Sequence, residues 1–160
     1  MNEKPFEQIM LLVAFCSVIL LFFIPAFYLD ELPTKLPSHF NGSGEADAYS
    51  DKSGIWFLPI VGLVLFIIME GLSRFSETHK VKPKTGQTLE QAEAQKLVGI
   101  EMMRALNGFF QVALVYIMWA TVQTGLGNQQ GLGSAFTTLF LLGTLGITFY
   151  YIFRMVNIKA

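Results

Sequence analysis

Four long apolar stretches, separated by polar segments of very different character, set the pattern of the chain. The first runs from Ile9 to Leu29, with Ser17 its polar interruption and Pro25 near the end. The second, Ile55 to Leu72, has Ser53 in position to act as an N-cap and carries Glu70 close to its far end. The third is Ala105 to Val122, and the fourth, Ser134 to Val156, is broken up by Thr and Gly and exits at Arg154. A bilayer core of about 30 Å asks for about 20 largely apolar residues per helix. The pattern therefore predicts an all-α membrane protein, a four-transmembrane-helix bundle forming a single integral membrane domain over residues 1–160. An uncleaved first helix is expected rather than a signal peptide, because the bulky run after Pro25 offers no small-residue cleavage site.

The third apolar stretch belongs to a longer helix. Thr88-Leu-Glu-Gln has the form of a capping box, with Thr88 as N-cap and Gln91 reaching back to it. No proline follows before Gln123, and about 35 residues rising 1.5 Å each make a helix of about 50 Å, longer than the bilayer is thick. Its first third, Leu89 to Arg104, is expected to project into the cytoplasm or to lie along the lipid surface. Lys80-Val-Lys-Pro-Lys-Thr-Gly, just before it, cannot be helical across Pro83.

Orientation follows from Lys and Arg. Lys4, the cytoplasmic segment 74–104 and the tail after the fourth span carry nine of them, against Lys35 and Lys52 in the first loop. Both termini and the middle segment are thus expected in the cytoplasm, with the 30–53 loop outside and the cell (inner) membrane as the location. Trp56, Phe57, Tyr116 and Trp119 would mark the outer interface, and Tyr150, Tyr151 and Phe153 the inner one.

Composition agrees with lipid as the main surroundings. Of the 160 residues 52% are apolar and 14% charged, and mean hydropathy is +0.49, whereas a soluble domain is about one quarter charged. A net charge of −1 leaves no basic field for nucleic acid. Cys16 is the sole cysteine, which excludes an internal disulfide and a zinc cage of several thiolates. No cofactor is implied.

Ionisable and amide side chains inside a span are costly, so they are candidates for function. Glu70 and Arg74 stand four apart in the favourable order for an ion pair, with Arg104 a second partner at the entry of span three and Glu101 one turn before it. Asn107 and Gln111 continue that face as a polar stripe toward mid-membrane, where they should point into the bundle. A charge cluster that fixes helix depth, a proton- or ligand-linked site, and a small polar cavity are all compatible with these residues. The Thr and Gly of span four, Gly143 and Gly146 among them, suit close packing within the chain or in a homo-oligomer.

The loop 30–53 is too long for a simple helical hairpin connection. Pro33 and Pro37 hold their predecessors extended, Ser38-His39-Phe40 continues the extended piece, and Asn41-Gly-Ser-Gly supplies turn chemistry. A compact lid over the helix ends is expected, with His39 and Asp47 bracing it by hydrogen bonds. One histidine with Glu45, Asp47 and Asp51 falls short of a transition-metal set, and no EF-hand spacing is present, so no metal is assigned.

The stretch LPTKLPSHFNGSGEADAYSDK resembles the signature L-P-x-x-I-P-x-H-F-N-x-x-G-x-x-D-x-W-x-x-K of a small prokaryotic membrane domain of unknown function, found at the N-terminus of SdpI-like immunity membrane proteins. The marked positions fall on Pro33, Pro37, His39, Phe40, Asn41, Gly44, Asp47 and Lys52, with Leu36 where Ile is usual and Tyr49 where Trp is usual. The resemblance implies a membrane protein whose outer loop recognises or braces a peptide or protein partner. A non-enzymatic immunity, sensor or accessory-subunit role is therefore expected. A small oligomeric transporter or channel using the polar stripe is the alternative, and a membrane enzyme a second one. Ser38 and His39 argue against hydrolysis, because neighbours on an extended strand point to opposite faces.

Overall fold

A computed structural model describes residues 5–158 of the chain. It is mostly helical, with α1 over Pro5–Tyr28, α2 over Phe57–Thr78, α3 over Leu89–Gly125 and α4 over Phe136–Val156. All four helices are long and apolar enough to cross a membrane. Pro5 opens α1, where its missing N–H costs nothing, and the helix continues through Pro25 to Tyr28. The capping box at the head of α3 is formed: Thr88 Oγ1 accepts the Gln91 N–H, and the Gln91 side chain accepts the Thr88 N–H. At 37 residues α3 spans about 55 Å. Lys96 and Gln95 donate to the last carbonyls around α2 and α4, His79 O and Met155 O. So within the stretch expected to project, residues from 95 onward already have helical neighbours.

Two features differ from expectation. The connection between α1 and α2 is an antiparallel hairpin, β1 (Lys35–Phe40) with β2 (Ala46–Asp51), so the fold is not purely α. Ser53 caps nothing; it lies in a 3-10 turn over Lys52–Trp56 that runs straight into α2, and Gly54 O takes the Phe57 N–H.

Helix α3 is the axis of the bundle and packs on α1, α2 and α4, while α4 leans on α3. Below the hairpin, Leu21, Leu32, Leu36, Ile55, Met118 and Val122 form one core cluster. A second, around Val98, Ala105 and Tyr151, joins α3 to α4 at the other end. Gly143 lets α4 approach: a Cβ there would stand 2.5 Å from the Phe109 ring. Thr144 and Thr148 spend their hydroxyls on carbonyls of α4 itself, so they add no interhelical bond.

The distribution of polarity is the reverse of a water-soluble protein. Arg104, Asn107 and Gln111 are buried, whereas Phe27, Ile67, Leu139, Phe149 and Phe153 are more than half exposed. Such outward apolar faces are stable in hydrocarbon, and the inward polar groups avoid it. This is the architecture of a multi-pass membrane protein in a lipid bilayer.

Candidate functional site

The hairpin is held by local chemistry at each of its corners. At its base, the Lys52 ammonium donates to Leu29 O at 3.0 Å and Leu32 O at 3.3 Å, just beyond the end of α1. A cation there meets the partial negative charge of a helix C-terminus. Lys35 and Asp51 close the open end of the strands with an exposed pair at 2.8 Å. At the tip, Asn41 Oδ1 accepts the N–H groups of Ser43 and Glu45, and Asn41 Nδ2 donates to Glu45. This Asx-turn leaves Gly44 at φ +81°, a conformation that favours glycine.

Gly44 also ties the tip to the α3–α4 loop. Its carbonyl accepts the Leu132 N–H at 2.7 Å, and a Cβ on Gly44 would stand 2.5 Å from Gly133 O. Leu36 is 2% exposed and anchors β1 in the core, and Pro37 beside it is buried. His39 Nδ1 meets Asp47 Oδ1 at 2.5 Å on the solvent side, with their side chains 67% and 43% exposed. An exposed pair of this kind adds little to stability. Phe40 is half-buried, and Tyr49 is 58% exposed. The strand pairing shifts register around Ser38, between Pro37 and His39. His39 takes its partner from Asp47, and Ser38 makes no hydrogen bond to it.

Between β1, the start of α2 and α3 lies a groove of about 580 Å³. Residues 36–40 of β1 form one wall, Ile55, Phe57 and Leu58 another, and Ile117, Met118 and Thr121 the floor, with Leu132 at the end.

At the opposite end of the bundle Arg104, 1% exposed, gathers carboxylates from two other helices. Its Nη1 lies 2.6 Å from Glu7 of α1, and its Nη2 lies 2.8 Å from Glu77 and 3.5 Å from Glu70 of α2. Arg74 Nε pairs with Glu70 at 2.7 Å; the contacts to Glu70 are ionic rather than well-aligned hydrogen bonds. Glu101 engages Arg154 of α4 at 2.6 Å. Two turns beyond Arg104, Gln111 Nε2 donates to Gly62 O at 2.8 Å, and Gly62 has no Cβ to obstruct that approach. Asn107 Oδ1 and Gln111 Oε1 are buried without a donor.

Sequence reasoning had joined Glu70, Arg74 and Arg104 but missed Glu7 and Glu77. The signal for Glu7 was its helical phase: it shares a stripe with the buried Ala14, Ser17, Leu21 and Pro25. Among the described residues no group of three or more His, Cys, Asp and Glu is placed to hold a metal ion.

The family described as Domain of unknown function (DUF1648) matches residues 16–63. The chain is similar to that domain there. The matched segment takes in the second half of α1, the whole hairpin and the first turns of α2, well under half of the chain, and leaves out Glu7, Glu70, Glu77 and Arg104. No curated protein and no solved structure matches the chain.

Proposed function

We propose that the chain is a non-enzymatic multi-pass protein of the cell membrane, of the immunity, sensor or accessory-subunit type, whose hairpin faces outward and receives a peptide or protein partner. The observation that carries this reading is the division of labour in the hairpin. Leu36, Gly44 and Lys52 fix it on the bundle and Asn41 shapes its tip, while the groove along β1 stays open. The sidedness rests on the excess of Lys and Arg around α2–α3 and beyond α4. The link to SdpI-like immunity proteins rests on the loop signature. Against hydrolysis speaks the pairing of His39 with Asp47 rather than with Ser38.

Crosslinkers placed at Tyr49 and Asp51 in living cells test this reading, together with reporter fusions at Gly42 and Lys84. An extracytoplasmic peptide or protein should be caught, and the two fusions should report opposite compartments. Fusions in one compartment, or capture confined to cytoplasmic proteins, overturn it.

The donorless oxygens of Asn107 and Gln111 favour a second reading, a transporter or channel-like oligomer whose path passes the Arg104 cluster. In vesicles, Gln111→Leu should then abolish a proton or ion flux while assembly survives. A flux absent from the wild-type protein disposes of that reading.

A further inference from the structure

We propose that the groove along β1 binds an extended apolar peptide segment carrying positive charge. This deepens the reading of the hairpin as a partner-facing element and rests on it. The groove has the dimensions of a ligand site: about 580 Å³ lies within the range of pockets that enclose small ligands. It runs along five consecutive residues of β1, Leu36 to Phe40, a length of about 16 Å at strand rise. Spread over that length, about 580 Å³ leaves a cross-section of about 36 Å², which suits a strand-like segment and is under half of the roughly 80 Å² that a helix about 10 Å across would need. The groove's accessible apolar surface comes from the half-buried Ile117 and the exposed Phe57, and its rim offers His39 and Ser50.

Charge selects the guest. From Asp30 to Lys52 the hairpin region holds five carboxylates, Asp30, Glu31, Glu45, Asp47 and Asp51, against Lys35 and Lys52. Both ammonium groups are already engaged, Lys35 with Asp51 and Lys52 with the carbonyls beyond α1. The adjoining α3–α4 loop, residues 126–135, contributes no charge. The hairpin end of the molecule is therefore net negative, which repels anionic lipid headgroups and attracts a cationic segment. A second copy is disfavoured by the same charge.

The test uses the full-length protein in neutral detergent and two labelled short peptides of alternating residues, leucine with lysine and leucine with glutamate. Fluorescence polarisation should show the leucine–lysine peptide binding at least about tenfold more tightly than its acidic counterpart. That preference should shrink as salt rises from about 0.05 M to about 0.5 M. Ile117→Trp fills the groove from a half-buried position, and should weaken binding by about tenfold or more with the thermal midpoint unchanged. Asp47→Asn, an independent variant, should reduce the preference for the basic peptide and leave the fold intact.

Equal binding of both peptides, or binding indifferent to both substitutions, overturns the proposal. So does loss of a co-purifying phospholipid from Ile117→Trp with no peptide bound, which would make lipid the occupant. A change in oligomeric state on Ile117→Trp would make it a second copy, with the same consequence. Peptide binding in detergent is blind to sidedness, so its failure is separable from failure of the topology and crosslinking experiments.

Discussion

Among the described residues, Arg104 is the cation that Glu7 and Glu77 share, and replacing it by Met removes it. In the folded chain Glu7 is 6% exposed and its carboxylate lies 2.6 Å from Arg104 Nη1. Glu70 keeps Arg74 at 2.7 Å, and Glu77 is the more accessible of the three, its side chain 20% exposed. The main cost of Arg104→Met therefore falls on Glu7, an uncompensated charge beside hydrocarbon, and breaking such a buried pair costs about 3–5 kcal/mol. For a chain of this length each kcal/mol moves the thermal midpoint by about 2–4 °C, so the variant should melt about 6–20 °C lower. The fluorescence of Trp56 and Trp119, followed during unfolding in one fixed detergent, reads this directly. Arg104→Lys keeps the charge without the fork that spans two helices, and should fall in between. Adding Glu7→Gln to Arg104→Met should recover much of the loss, because the stranded carboxylate is gone. A loss under about 1 kcal/mol for Arg104→Met, the size of an exposed pair, would refute the reasoning and mean that water reaches the cluster.

Gly44→Ala forces a side chain into φ +81° and toward Gly133 O at 2.5 Å, so the tip should detach from the α3–α4 loop and the Leu132 amide should lose protection from hydrogen exchange. Asn41→Ala removes two acceptor contacts at the tip and should cost about 1–2 kcal/mol, visible as faster exchange at Ser43 and Glu45 with the helices unaffected. The Lys35 ammonium holds the Asp51 carboxyl below its ordinary value of 3.8, first by hydrogen bonding and then by charge. The Lys35–Asp51 clasp is thus complete above the ordinary value and is lost as pH falls through the lower folded midpoint. A carbon-detected NMR titration should show that depressed midpoint, returned upward in Lys35→Met.

What the sequence made legible follows from the range of each interaction. The four helices were visible because lipid-facing helices are apolar over their whole length, and the Thr88 capping box because both its partners lie within one turn. The second strand was not. Ala46-Asp-Ala-Tyr-Ser-Asp buries no side chain fully, so its apolar pattern is silent; backbone pairing to β1 and the Asn41 turn create it. The charged cluster was half legible for the same reason. Glu70 and Arg74 are neighbours on one helix, whereas Glu7 reaches Arg104 across 97 residues of sequence and stands just before the apolar run that suggested a span.

The groove unites two parts of the chain that differ in their standing. Its β1 wall and the start of α2 lie within residues 16–63, the part similar to the domain of unknown function, but the floor of Ile117, Met118, Thr121 and Leu132 comes from outside it. The hairpin is thus a lid shaped by its own Asn41 turn and tied to the end of α1 by Lys52, but seated on α3 through Leu36 and on the α3–α4 loop through Gly44. Fold position and binding chemistry then separate. A different side chain at Ile117 or Thr121, which lie outside the core cluster that seats Leu36, would keep the lid in place and present a different floor, and function follows the site rather than the scaffold. Substitutions at Ile117 and Thr121 should accordingly change what is bound, whereas those at Asn41, Gly44 and Lys52 should change whether the lid is in place at all.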